Sequence, residues 1–178
     1  MTLRPPGPQT NMGAEIGMMT LKEKDNYRVG VLSDTHGMLR ECLYPSFSSV
    51  DLIIHAGDVG RQEVLRELRK MAPVVAVRGN TDGRWADGLL PLLEMVSVGG
   101  VMMAVLHDLM DLDLDPRSAG VGVVISGHTH QPLIETRDGV LYLNPGSIGP
   151  RRFDYPISAA LIDIRGTTLT PEILTFTP

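Results

Sequence analysis

The sequence predicts an α/β chain folded as a two-sheet sandwich with helices on the outside. Three observations carry that reading. Between Arg28 and Val77, apolar strands alternate with helical patterns, and a β-α-β-α-β order forms a parallel sheet with helices packed on it. Between Leu92 and Leu174, three pairs of apolar segments flank Gly99-Gly100, Asp138-Gly139 and Arg165-Gly166, the signature of two-residue hairpins. The total of 178 residues is one domain's worth of chain.

In chain order, residues 1–27 read as a loose or partner-stabilised leader. Pro5, Pro6, Pro8, Gly7, Gly13 and Gly17 interrupt it, and such residues prevent a regular element from starting. The domain proper is expected over 28–178. Its first strand is Arg28–Leu32. A helix is expected within Leu39–Val50, ended by Pro45 and the serines after it. Leu52–Ile54 is continuously apolar, as in a strand buried on both faces. In Gly60–Met71, Val64, Leu65, Leu68 and Met71 form a stripe on one helix face. Pro73 stops that helix before the strand Val74–Val77. The remaining strands are Leu92–Val98, Val101–Leu106, Val121–Ile125, Leu133–Thr136, Val140–Leu143, Ser158–Ile164 and Thr167–Leu174.

Composition narrows the function classes. The formal charge of −5 and only three Phe, four Tyr and one Trp disfavour a phosphate-tracking, base-stacking surface, and so a nuclease. Cys42 is the one cysteine, which excludes an intrachain disulfide and a thiolate zinc site and fits the cytoplasm. The most apolar stretch, Leu89–Leu106, is broken by Pro91, Glu94 and Gly99-Gly100, so no membrane span is expected.

The chemistry lies just beyond each strand. The strand ends deliver Ser33-Asp34-Thr35-His36-Gly37, His55-Ala56-Gly57-Asp58, Arg78-Gly79-Asn80-Thr81-Asp82, His107-Asp108 and Ser126-Gly127-His128-Thr129-His130. Ligands of open α/β sheets bind at the carboxyl ends of strands. Taken singly, Asp-x-His, Gly-Asp and Gly-Asn are common turns, and a lone histidine is more often structural. Five pieces in five such places, holding all five histidines, are a different matter. Carboxylate, imidazole and amide oxygen suit hard or borderline divalent ions, and the set is large enough for two. A carboxylate can bridge ions about 3.5–4 Å apart, the spacing of two-metal hydrolases.

With these residues in order, the chain resembles the calcineurin-like metallophosphoesterase superfamily, in its small YfcE-like phosphodiesterase branch. The family pattern D-x-H, G-D, G-N-x-D, H and G-H-x-H stands here as Asp34-Thr35-His36, Gly57-Asp58, Gly79-Asn80-Thr81-Asp82, His107 and Gly127-His128-Thr129-His130. Asn144-Pro145-Gly146-Ser147 resembles a loop found after the metal histidines in this branch. The resemblance implies a four-layer α/β/β/α sandwich of two mixed β-sheets flanked by helices. It implies that Asp34, His36 and His130 hold one ion, that Asn80, His107 and His128 hold a second, and that Asp58 bridges them. It also implies a metal-bound hydroxide as nucleophile, with Mn²⁺ the foremost ion and Fe, Zn or Ni as alternatives.

Two departures bear on chemistry. Many members carry His after the Asn of G-N, as proton donor to the leaving oxygen. Thr81 stands there, a poor acid. Asp82 is read as orienting its loop, with a lesser part in catalysis beside Asn80 and Thr81. Asp108 stands where Gly often comes after the histidine. Of the other candidates, His55 is given a packing or ligand-supporting role, and Arg151 and Arg152 are weighed equally as phosphate contacts and as a solvated pair. Trp85 is weighed as mouth or core. The leading expectation is a phosphodiesterase acting on a small phosphoester, without a membrane, with a nucleic-acid partner disfavoured and with a homo-oligomer in view. The alternatives are a phosphomonoesterase and a scaffold like the retromer small subunit, with weak or no activity.

Overall fold

The computed structural model describes residues 18–152 and 154–177. The strands are β1 (Met19–Leu21), β2 (Asn26–Leu32), β3 (Leu52–His55), β4 (Val74–Ala76), β5 (Leu93–Val98), β6 (Val101–Leu106), β7 (Val123–Ile125), β8 (Leu133–Arg137), β9 (Val140–Asn144), β10 (Ile157–Arg165) and β11 (Thr168–Phe176). The α-helices are α1 (Leu43–Phe47) and α2 (Gln62–Leu68), and short 3₁₀ turns occupy Arg84–Ala86 and Leu109–Asp111. Two mixed sheets result, in the orders β11-β10-β2-β3-β4 and β1-β5-β6-β7-β9-β8.

The sheets face each other through alternate residues of each strand. Val29 and Val31 of β2, Leu52 and Ile54 of β3, Met103 and Val105 of β6, and Val123 and Ile125 of β7 all join one buried cluster. The intervening residues serve the outer faces, so Leu52–Ile54, β6 and β7 are apolar throughout. Ile53 and Leu32 pack with Phe47 of α1 and Leu65 and Leu68 of α2. Each such side chain contributes about 1.5–3 kcal/mol when fully buried. Gly30 admits α1, because a Cβ there would lie 2.6 Å from the Phe47 ring.

Several expectations are refined. Met19–Leu21, assigned to the leader, forms β1 and pairs in parallel with β5, while residues 1–17 of that leader lie outside the described residues. Three residues are too few to show a periodicity, and the pairing comes from Val96–Val98, far along the chain. The first helix is only Leu43–Phe47 and contains Pro45 rather than ending at it. Proline is tolerated there because first-turn N–H groups have no intrahelical partner. The third hairpin, β10–β11, joins the first sheet, with β10 antiparallel to β2. Over the second sheet the outer layer contains no α-helix among the described residues. The Leu109–Asp111 turn and the loop after it cover that sheet, with Leu109 and Leu112 packing on Ala104, Leu106 and Val124.

The parallel strands place the site. β2, β3 and β4 run parallel in one sheet, and β6, β7 and β9 in the other. Loops leaving these strand ends meet directly: Asp34 N–H donates to Gly57 O at 3.0 Å, and Gly127 N–H to His107 O at 2.9 Å.

Candidate metal centre

Asp34 leaves β2 fully buried. Its Oδ2 accepts the backbone N–H of His128 at 3.2 Å. Its Oδ1 has no hydrogen-bond partner, and neither has the buried Nε2 of His36. His130 Nε2 lies 3.1 Å from that Oδ1, and His36 Nε2 lies 3.9 Å from it. Ligand-type atoms of Asp34, His36 and His130 all fall within 4.8 Å of one another. A buried carboxylate oxygen and the buried His36 nitrogen gathered without hydrogen-bond partners are costly, and a divalent cation supplies what they lack.

A second gathering adjoins the first. His107 Nδ1 lies 2.7 Å from the carbonyl of Ala56. A carbonyl only accepts, so Nδ1 carries the proton and neutral His107 presents a bare Nε2. That nitrogen faces Asn80 Oδ1 at 3.0 Å and Asp58 Oδ2 at 3.5 Å. Three acceptors therefore converge. Burial alone would lower the His107 pKa, but its hydrogen bonds with Asp58 and Ala56 and the nearby carboxylates raise it overall. A proton or a metal ion can meet that demand. His128 Nδ1 approaches the same Asn80 Oδ1 at 3.1 Å.

Asp58 lies between the two gatherings. Its Oδ2 is 3.8 Å from His36 Nε2 as well as 3.5 Å from His107 Nε2. Its Oδ1 accepts the N–H of Thr81 at 2.8 Å. Burial would raise its pKa, yet the imidazolium that His107 becomes on protonation and the Thr81 N–H hold the carboxyl well below the usual carboxylate range. His36 is held below the ordinary histidine value by burial, against the pull of Asp58 and Asp34.

The backbone is bent to bring these groups together. Among the described residues, six non-glycine residues have positive φ, and five are Asp34, His36, Asp58, His128 and His130, at 56°, 46°, 53°, 67° and 59°. Left-handed backbone costs an L-residue about 1–2 kcal/mol and persists where the surroundings over-determine it. The close approach of loops also needs glycine: a Cβ on Gly79 would collide with the Asp58 carboxylate, and one on Gly57 would lie 2.6 Å from His107 Nδ1.

The remaining candidates separate. Thr81 Oγ1 lies 3.3 Å from His36 Nδ1, so it holds that ring with Nε2 inward. The buried Asp82 carboxylate accepts N–H groups from Gly60 at 2.7 Å, Gly79 at 2.9 Å and Val59 at 3.2 Å. Those three donors make it a clamp between two loops, the orienting role read from sequence. His55 is fully buried, with Nε2 2.9 Å from Thr35 Oγ1 and a pKa lowered by burial to about 4. Arg151 and Arg152 are exposed, and the charge of Arg152 acts on His36. Trp85 packs on the helix-side core.

Sequence reasoning assigned no contact to Asn144. Its Nδ2 donates to Gly127 O at 2.7 Å and to Thr129 Oγ1 at 3.1 Å, fixing the loop that bears His128 and His130. The resemblance of Asn144–Ser147 to a family loop was the available signal. A cleft of about 570 Å³ opens beside Asn80, His107 and His128, with Leu92, Leu93, Arg78 and Asp108 on its walls.

Comparison with known proteins agrees with this geometry. The family model for the calcineurin-like phosphoesterase superfamily domain matches residues 27–167. A probable metallophosphoesterase of Methanocaldococcus jannaschii is 41% identical over 132 residues, 67% of each chain. A protein of the same organism named as a phosphodiesterase is 28% identical over 137 residues, 67% of this chain and 82% of its own. Among solved structures, Vacuolar Protein Sorting 29 of Cryptosporidium parvum superposes with a TM-score of 0.71 at 19% identity, covering 87% of this chain and 100% of that one. The chain belongs to the calcineurin-like phosphoesterase superfamily.

Proposed function

We propose that this calcineurin-like phosphoesterase hydrolyses a small phosphodiester at a centre of two divalent ions. The observation that carries the reading is a pair of adjoining acceptor clusters, Asp34-His36-His130 and Asp34-Asp58-His107, with Asp58 Oδ2 between His36 and His107. Asp34, His36 and His130 would hold one ion, Asn80, His107 and His128 the other, and Asp58 both. Such ions polarise a phosphoryl oxygen and lower the pKa of water, providing a nucleophile at neutral pH. Mn²⁺ leads among ions suited to this nitrogen and oxygen donor set, with Fe, Zn and Ni behind it.

The chain's own residues do the rest. Asp58 stays ionised, because its hydrogen bonds depress its pKa. Thr81 and Ala56 orient the rings of His36 and His107. Arg152, which among the described residues has no hydrogen bond or ion pair, is free to take a phosphate oxygen. The cleft beside Asn80 has room for one ester arm, with Leu92 and Leu93 offering an apolar wall. Thr81 is a poor acid, so arms that leave without protonation are favoured. The lone cysteine supports a cytoplasmic setting, and the net charge of −5 supports a small substrate over nucleic acid.

The test is elemental analysis of the purified chain, joined to an activity screen over diesters and monoesters with each ion. Up to two ions per chain and faster diester turnover are expected. No metal uptake at millimolar Mn²⁺ overturns the reading, and clearly faster monoester turnover turns it into a phosphomonoesterase. The scaffold alternative draws on Thr81 and on the fold shared with Vacuolar Protein Sorting 29. Metal uptake without turnover of any ester would favour it.

A further inference from the structure

We propose that Asp108 is a positioning residue: its carboxylate faces Nε2 of His128, keeps the ring proton on that nitrogen, and so leaves a bare Nδ1 toward Asn80 and the second ion. The inference rests on the two-ion reading above.

Asp108 Oδ2 lies 3.5 Å from His128 Nε2. On the other side of the ring, His128 Nδ1 lies 3.1 Å from Asn80 Oδ1. The ring therefore stands between a carboxylate and the oxygen that also faces His107. Both flanking atoms are acceptors, and a neutral imidazole has one proton to give. The carboxylate, being charged, is the stronger acceptor. The proton goes to Nε2, and Nδ1 keeps its lone pair on the metal side. A carboxylate behind a ligating histidine fixes ring and tautomer and raises ligand basicity.

Asp108 is itself held for the task. Its Oδ1 accepts the N–H of Met110 at 3.0 Å, capping the Leu109–Asp111 turn. One oxygen is anchored and the other is left for His128. The ring needs such support. His128 is the least buried of the four histidines gathered at the centre, with its side chain 42% exposed against 13%, 5% and 8% for His36, His107 and His130. The Thr81 hydroxyl, the Ala56 carbonyl and burial fix the others; His128 has Asp108.

The substitutions that test this are Asp108→Ser and Asp108→Asn. Serine can still cap the turn by accepting from Met110 but cannot reach His128. Asparagine can accept the proton without the charge. The first readout is the ¹⁵N spectrum of His128 in metal-free protein, at a pH where the ring is neutral. The unaltered chain should hold its proton on Nε2, and Asp108→Ser should shift it toward Nδ1. The second readout is Mn²⁺ calorimetry. Asp108→Ser should weaken one of two sites by about 10–100-fold and leave the other unchanged, with Asp108→Asn between. A His128 proton on Nδ1 in the unaltered chain, or native affinity at both sites in Asp108→Ser, overturns the inference. Failure of the unaltered chain to take up Mn²⁺ overturns the two-ion reading instead, while the ¹⁵N signals still decide whether Asp108 sets the tautomer.

Discussion

The backbone N–H of His128 donates to Oδ2 of Asp34 at 3.2 Å, across 94 residues of chain. Asp34 comes after β2 in one sheet and His128 after β7 in the other. The bond thus joins the two halves of the sandwich at the centre itself. It also leaves Asp34 Oδ1 as the oxygen turned toward His36 and His130. Neither half holds the centre alone.

Asp58→Asn should be the most damaging single substitution. It removes the charge shared between His36 and His107. Turnover is expected to fall by more than about 100-fold, beyond the range for an outer residue, with fewer than two ions retained. Two ions at native affinity, found by elemental analysis, would contradict the bridging role.

Gly79→Ala should behave like a change in Asp58, although alanine carries no chemistry. The added methyl occupies the place of the Asp58 carboxylate. Metal uptake should fall while the far-ultraviolet circular dichroism stays native. Unaltered Mn²⁺ binding would show that the loops have more room than the structure gives them.

Thr81 offers opposite outcomes from two substitutions. Thr81→Val removes the hydroxyl at His36 Nδ1 and should weaken metal binding by about tenfold or more. Thr81→His introduces an acid and should raise turnover of poorer leaving groups relative to good ones. A leaving-group series measured by steady-state kinetics checks both, and an unchanged ratio in Thr81→His would remove the proton-donor argument.

The Arg28–Asp163 pair, bonded at 2.7 and 2.9 Å, should give a pH-dependent contribution to stability. The hydrogen bond from Arg28 holds the Asp163 pKa below its ordinary value, against desolvation. A depressed carboxyl stabilises the fold above its unfolded pKa of about 3.9 and loses that effect as pH falls through the folded value. The pair is partly exposed, so Asp163→Asn should cost under about 1 kcal/mol at pH 7. The difference in Tm should shrink below about pH 4. A difference that persists at lower pH would point to packing instead.

A chain starting at Met19 should fold, bind metal and turn over substrate like the full chain, since β1 is kept. Removing residues through Asp25 uncovers the β5 edge and takes away the partly buried Met19 and Leu21. The loss should be on the order of 1–3 kcal/mol, read by urea denaturation. Lost activity in the Met19 chain at unchanged oligomeric state would assign the preceding residues a part in shaping the centre.

Much of this was legible in the sequence, for physical reasons that differ by element. β6 and the first three residues of β3 are apolar because both faces are buried, and the run Leu52-Ile53-Ile54 shows it directly. The centre was legible because each strand end carries its residues locally, as in Gly127-His128-Thr129-His130. Long-range partnership was not. Nothing in Ile157–Arg165 says that it pairs with β2 from the other end of the chain, and Met19–Leu21 is too short to reveal itself. The clamp by Asp82 and the bracing by Asn144 depend on loops converging, which a linear pattern does not record. Pro45 misled because a proline that stops a helix and one that sits in its first turn look alike in sequence.

The left-handed backbone at Asp34, His36, Asp58, His128 and His130 sets heat resistance and catalysis at odds. Glycine takes up that conformation more readily than any residue with a side chain does. Directed evolution for thermal tolerance alone, with metal withheld, would therefore enrich such replacements at these five positions. The hardiest descendants would keep the sandwich and shed its reactivity. Breeding a tougher catalyst from this chain requires selecting on turnover at every round, because the residues most open to stabilising change are the ones that gather the ions.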